Sequence, residues 1–201
     1  LAHTASFSSE EDANTSTRGD IVTIQLVSSG LRVFVLAGLL WLAVSDVRYR
    51  RLANAWVVAI GAAFLIFAAL QQLGWHAFGM HLLSGGVALL IGLALFALRV
   101  LGGGDAKLLS VLFLWSGPLL AAPMLTVISL TGTVVGILSF ATRRLEPGKG
   151  SGVVRVLALF SAVRGVPYGV AIASGGSCMV LWPWILPGLM PLLMTQQYPL
   201  H

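Results

Sequence analysis

Charge is what this 201-residue chain has least of. Only 9% of its residues are Asp, Glu, Lys or Arg, against about 25% in an ordinary soluble domain. So few charges cannot cover the surface of a soluble globule, which excludes a cytosolic enzyme and a free nucleic-acid-binding domain. Cysteine is nearly absent too. Cys178 stands alone, which excludes an intrachain disulfide framework and a thiolate metal cluster. No Walker-type phosphate loop or dinucleotide fingerprint follows a predicted strand. No charged stretch interleaved with aromatics offers a nucleic-acid surface. What the chain does have is apolar: hydrophobic residues reach 57% and mean hydropathy is +0.92, which excludes a disordered chain. The remaining class is an all-α, polytopic membrane protein.

The distribution of the few charges divides the chain. Residues 1–26 form a polar tail rich in Ser, Thr, Asp and Glu, with Glu10, Glu11, Asp12 and Asp20, and no basic segment leads into an apolar run there as a cleavable signal would require. Residues 27–187 form the membrane domain, and residues 188–201 a C-terminal tail. A spanning helix needs about 20 mostly apolar residues. The first runs from about Val27 to Asp46, with Arg32 near its outer end, and Arg48, Arg50 and Arg51 follow it. Leu52 to Leu98 carries no Asp, Glu, Lys or Arg and holds two spans, broken near Gln71, Gln72, Gly74 and His76. Leu108 to Thr142 is again uncharged and too long for one crossing of a hydrocarbon core of about 30 Å. Ser116-Gly117-Pro118 and Pro123 predict a fourth helix ending near Gly117 and a fifth from about Met124. The sixth opens at Pro167-Tyr168 and ends near Pro187. Val153 to Arg164 is too short to span, so residues 151–165 form either an interfacial helix or a re-entrant segment in the last cytoplasmic loop.

The net charge of +5 reads topologically. Placing Arg48–Arg51 in the cytoplasm puts ten of the 12 basic residues there, all but Arg18 and Arg32, as the positive-inside bias requires. Both chain ends then lie outside the cytoplasm. Membrane lipid is the surrounding partner, and no nucleic acid is expected.

Between Ile21 and Leu145 the only acidic residues are Asp46 and Asp105. An ionisable group at a membrane boundary is expensive and points to function. Two crossings separate the pair, so both face the cytoplasmic side and can meet. Two neighbouring carboxyls cannot both ionise cheaply and can share one proton. The ionised member can then take a proton from water while the protonated one donates to a peptide carbonyl. The plainer alternative is that each Asp pairs with Arg48, Arg50 or Lys107 at a helix end. Ahead of Asp105 stand Gly102, Gly103 and Gly104, which permit positive φ and close backbone approach. They predict an extended loop beside a substrate strand, with Asp105 at a helix N-terminus whose dipole favours its ionised form. Taken alone, the triplet would be an ordinary flexible turn.

Gly102-Gly103-Gly104-Asp105 fits the Gly-x-Gly-Asp signature of intramembrane aspartyl proteases. Ala106-Lys107-Leu108 resembles the continuation in type IV prepilin peptidases. Asp46 through Asn54 resembles that family's first-aspartate motif, and Pro167-Tyr168-Gly169 its segment opening the last helix. The resemblance runs from about Leu31 to Pro187. It implies a membrane endopeptidase of the bacterial inner membrane that removes basic leader peptides from prepilins or pseudopilins at the cytoplasmic face. Asp46 and Asp105 would be catalytic, Gly102, Gly103 and Gly104 would shape the loop, and Arg48, Asn54 and Lys107 would support them. It implies no metal and no cofactor. Many relatives carry a paired-cysteine methyltransferase domain. Cys178 stands alone and residues 1–30 are short, so the resemblance is to compact, peptidase-only members such as those serving Flp/Tad pili.

Other residues carry weaker signals. Lys107 and Ser110 could share a helical face as a Ser–Lys pair, although Ser110 reads as a helix-packing residue. His76 and His81 flank an outer turn and read as interfacial. Gly175-Gly176-Ser177-Cys178 reads as close helix packing rather than a nucleophile site. Trp41, Trp75, Trp115, Trp182 and Trp184 fall mostly near helix ends, as interface anchors would. Two other functions compete with proteolysis: a small proton-coupled transporter, which calls for mid-membrane carboxylates and inverted repeats, and an inactive scaffold for pilus assembly.

Overall fold

Apolar runs this long have no water to satisfy their backbone polar groups in a bilayer, so they must close their hydrogen bonds within helices. The chain does so in every described stretch of the computed structural model, which covers residues 2–49, 53–142 and 168–185. Five helices follow: α1 (Ala2–Tyr49), α2 (Asn54–Leu70), α3 (Trp75–Ala97), α4 (Gly103–Ala141) and α5 (Tyr168–Ile185). Three contain stretches long and apolar enough to cross a membrane: Ile21–Tyr49, Trp75–Ala97 and Gly103–Ala141. α2 and α5 are apolar but shorter. The 151–165 segment, the basic residues 50–51 and 143–164, and the 188–201 tail lie outside the described residues.

The polar tail is helical from Ala2 and continuous with the first span. Neither Pro nor Gly interrupts it before Gly19. The break in α4 lies at Gly117 as expected, but the helix resumes at once instead of near Met124. Gly117 adopts φ 57°, ψ −171°, a left-handed value that strains any residue with a Cβ. Pro118 then opens the second half, where its fixed φ suits the first helical position. A straight α4 would run about 58 Å at about 1.5 Å per residue, nearly twice a bilayer core.

Pro118 has a second consequence. It has no N–H to offer Leu114 O, four residues back. His81 of α3 supplies the hydrogen bond instead, Nδ1 to Leu114 O at 2.8 Å. The same ring fills the place of a Gly117 Cβ, which would lie 2.8 Å from its Cε1. His81 also packs on Phe64 at 5.4 Å, and Phe64 meets Trp115 edge-on at 5.8 Å. His81 is therefore an interior group rather than an interfacial one. Trp115 is likewise no interface anchor: it is 7% exposed and donates Nε1 to Ile60 O at 2.9 Å.

The core forms around Val35, Leu39, Leu42, Ile60, Phe64, Leu108 and Leu112, joined by Ile172 and Val180 of α5. Small residues let the helices approach. A Cβ on Gly92 would sit 3.0 Å from that of Ala106, and one on Gly85 would sit 3.1 Å from that of Leu114. Ser110 Oγ donates to Gly85 O at 2.9 Å, a helix-packing role. Gly175 and Gly176 bring α5 against both halves of α4 and against Leu39 of α1, as the Gly-Gly-Ser-Cys reading anticipates.

Candidate active site

Both acidic positions are fixed by helix ends. On α1, Val35, Leu39, Leu42 and Asp46 are all buried, spaced three and four apart along one helical face. Asp46 thus continues an apolar seam into the last turn of α1 and is only 8% exposed. Asp105 stands in the first turn of α4, three residues after the N-cap Gly102. Its carboxyl accepts a hydrogen bond from the Gly102 backbone N–H, the reach of a capping-box acid at N3. The two carboxyls are near enough to interact coulombically. The structure therefore brings together the pair that the spans placed at one end of the bundle.

The triple glycine works differently from expectation. Gly103 and Gly104 lie inside α4, and Gly102 has φ −71°, ψ 145°. Among the described glycines only Gly117 has positive φ. Close approach is what requires glycine here. A Cβ on Gly102 would stand 2.8 Å from Asp105 Oδ2, and one on Gly103 would stand 3.3 Å from Phe96 Cε2. The left-handed residue of the α3–α4 turn is Arg99, at φ 59°. It ends α3 with Val100 N bonded to Leu95 O at 2.9 Å, a Schellman closure.

Of the supporting residues, Lys107 Nζ donates to Asn54 Oδ1 at 3.5 Å, joining α4 to the start of α2. Arg48 is exposed in the last turn of α1. The Ser–Lys alternative fails geometrically, because Lys107 reaches Asn54 while Ser110 donates to the Gly85 carbonyl.

One partner carried no assigned role in the sequence. Gly169, second residue of α5, donates its N–H to Asp46 Oδ2 at 2.9 Å. This is one of the free N–H groups that every helix start exposes, here capped from another helix. A Cβ on Gly169 would meet Asp46 Oδ2, Cγ and Cβ at 2.8, 2.9 and 3.0 Å. The sequence signal for it was the Pro-Tyr-Gly opening of the last helix.

The pair is unequally satisfied. Among the described residues, Asp105 Oδ1 is buried with no hydrogen-bond partner. A helix end is worth about 0.3–1 kcal/mol to a nearby carboxylate. An unsatisfied buried acceptor costs about 1–3 kcal/mol, and more if it is charged. The larger effect is the unmet oxygen.

A family model for the type IV leader peptidase family matches residues 33–137, a stretch that includes Asp46, Asn54, the triple glycine, Asp105 and Lys107. The chain belongs to the type IV leader peptidase family. No curated protein and no solved structure matches it. Membership implies prepilin leader peptidase activity on prepilin substrates, an aspartic endopeptidase chemistry, and a multi-pass membrane protein. Gly169 lies beyond the matched stretch.

Proposed function

We propose that this protein is a membrane aspartyl endopeptidase that cuts leader peptides from type IV-like prepilins, of the Flp/Tad kind, at the cytoplasmic membrane face. The observation that carries this reading is the meeting of two acids from distant helices, one of them with an unpartnered buried oxygen. Asp46 and Asp105 activate water and protonate the scissile carbonyl, and no acyl-enzyme forms. Gly102, Gly103 and Gly104 allow the start of α4 to pack closely around the acid and its neighbours. Lys107, Asn54 and Arg48 surround this end of the bundle as supporting residues, with no metal or cofactor in the reaction.

The topology that goes with this reading has six crossings: α1, α2, α3, the two halves of α4, and α5. The basic loops and the acid pair face the cytoplasm, and both chain ends lie outside it. The experiment is a gel-shift assay with a co-expressed prepilin. Loss of leader removal by Asp46→Asn and by Asp105→Asn, at unchanged protein level, is expected. Normal processing by either variant would defeat the assignment. Cysteine labelling of residues 48 and 143–149 should succeed from the cytoplasmic side alone.

A further inference from the structure

The acid pair is built asymmetrically. Asp46 Oδ2 is held by the Gly169 N–H from a different helix, against a glycine that leaves no room for a Cβ. Asp105 is held by its own helix start, and its Oδ1 is buried without a partner among the described residues. A backbone N–H can only donate, so it stabilises an ionised carboxylate oxygen best. A buried carboxyl oxygen with no donor facing it is better placed as an O–H that seeks an acceptor.

We propose that Gly169 is a positioning residue that holds Asp46 as the ionised general base, while Asp105 carries the shared proton on Oδ1 and gives it to the scissile carbonyl oxygen. The inference rests on the peptidase reading and adds the division of labour within the pair. Asp46 removes a proton from water as the water oxygen bonds to the carbonyl carbon. The carbonyl π pair moves to its oxygen, which takes the Asp105 proton, giving a neutral gem-diol. Asp46 then returns its proton to the amide nitrogen as the C–N bond breaks. Asp105 regains a proton from a diol hydroxyl as the new carboxylic acid forms. One water and one peptide bond become one acid and one amine, and both aspartates end as they began.

Placing Gly169 in this role makes the start of α5 part of the active site without contact with substrate. A methyl group there must push the Asp46 carboxylate aside while the N–H survives. Gly136 provides the control, because a Cβ there meets nothing within 4 Å.

The test uses the full chain in liposomes with a purified prepilin. Gly169→Ala should lower kcat by about tenfold or more, since small misplacements of a reacting group are costly. KM should stay within about twofold, because the altered group acts after binding. Gly136→Ala should match the wild type. Infrared difference spectra in mildly acidic buffer supply a readout independent of turnover. The carboxylic-acid C=O stretch of the pair should vanish in Asp105→Asn and persist in Asp46→Asn. Unchanged kcat in Gly169→Ala, or loss of the band in Asp46→Asn with retention in Asp105→Asn, would overturn the proposal and leave proteolysis intact. A wild-type protein that cuts no prepilin would instead remove the peptidase reading itself.

Discussion

The two ends of the bundle both interrupt an apolar helix with polar groups, and they resolve the interruption in opposite ways. At the Gly117 break the polar groups of the break itself find partners. The carbonyl stranded by Pro118 finds His81, Trp115 Nε1 finds Ile60 O, and Ser116 Oγ bonds Gly117 O at 3.0 Å. At the Asp46–Asp105 end the exception is left open, with Asp105 Oδ1 buried and unmet. A satisfied polar group in a core gives rigidity and a single arrangement. An unsatisfied one costs stability; Ser28 Oγ, Ser139 Oγ and Trp182 Nε1 share that state among the described residues, so what sets Asp105 apart is an ionisable group beside Asp46. The contrast separates a histidine that holds a kink from an aspartate for which a reaction is proposed.

That contrast can be broken by paired substitutions. Asp105→Asn should lower prepilin cleavage by about 10²–10⁴-fold, the usual worth of a positioned acid–base group, while thermal stability in detergent stays the same or rises. A drop in the melting temperature comparable to that of a core truncation would mean that Asp105 is structural. His81→Ala should do the reverse. It strands the Leu114 carbonyl and opens a cavity beside Gly117, at a cost of about 2–4 kcal/mol, seen as a lower melting temperature. Cleavage per folded molecule should fall far less than in Asp105→Asn.

Trp115→Phe keeps most of the ring and loses the bond to Ile60 O, so about 1–2 kcal/mol should be lost. Loss of activity without loss of stability would place Trp115 in the site rather than in the opposite end. Arg99→Gly relieves a left-handed residue in the α3–α4 turn and should stabilise by about 0.5–1 kcal/mol. Hydrogen exchange of Val100 and Leu101 reports it, and faster exchange would contradict it. Asn54→Ala should be the mildest. Its bond to Lys107 is long and exposed, so cleavage should stay within about twofold of wild type.

Much of this was readable in the residues. Helix-length apolar runs predict the helices, three of which contain stretches long and apolar enough to cross a membrane, and the scarcity of acids singles out Asp46 and Asp105 with no need of coordinates. The crossing count between them placed them at one end. What escaped the sequence was local and geometric. The glycines before Asp105 suggest backbone freedom, yet at Gly102 and Gly103 the structure shows close packing, which composition cannot distinguish. Arg99 takes the left-handed position that glycine usually fills. His81 looked interfacial because its partner is a carbonyl freed by a proline 37 positions away, and backbone carbonyls have no letter in a sequence. Gly169 was visible as a motif but not as a hydrogen-bond donor, for the same reason.

Single-turnover cleavage of a purified prepilin by Asp46→Asn, Asp105→Asn and the double variant distinguishes one catalytic pair from two separate acids. If the two carboxyls act as one unit, either single change removes the reaction and the double variant is no slower than the singles. Substantial cleavage by one single variant, or a double variant slower by the product of the two single losses, would show that the aspartates act independently and would contradict the account.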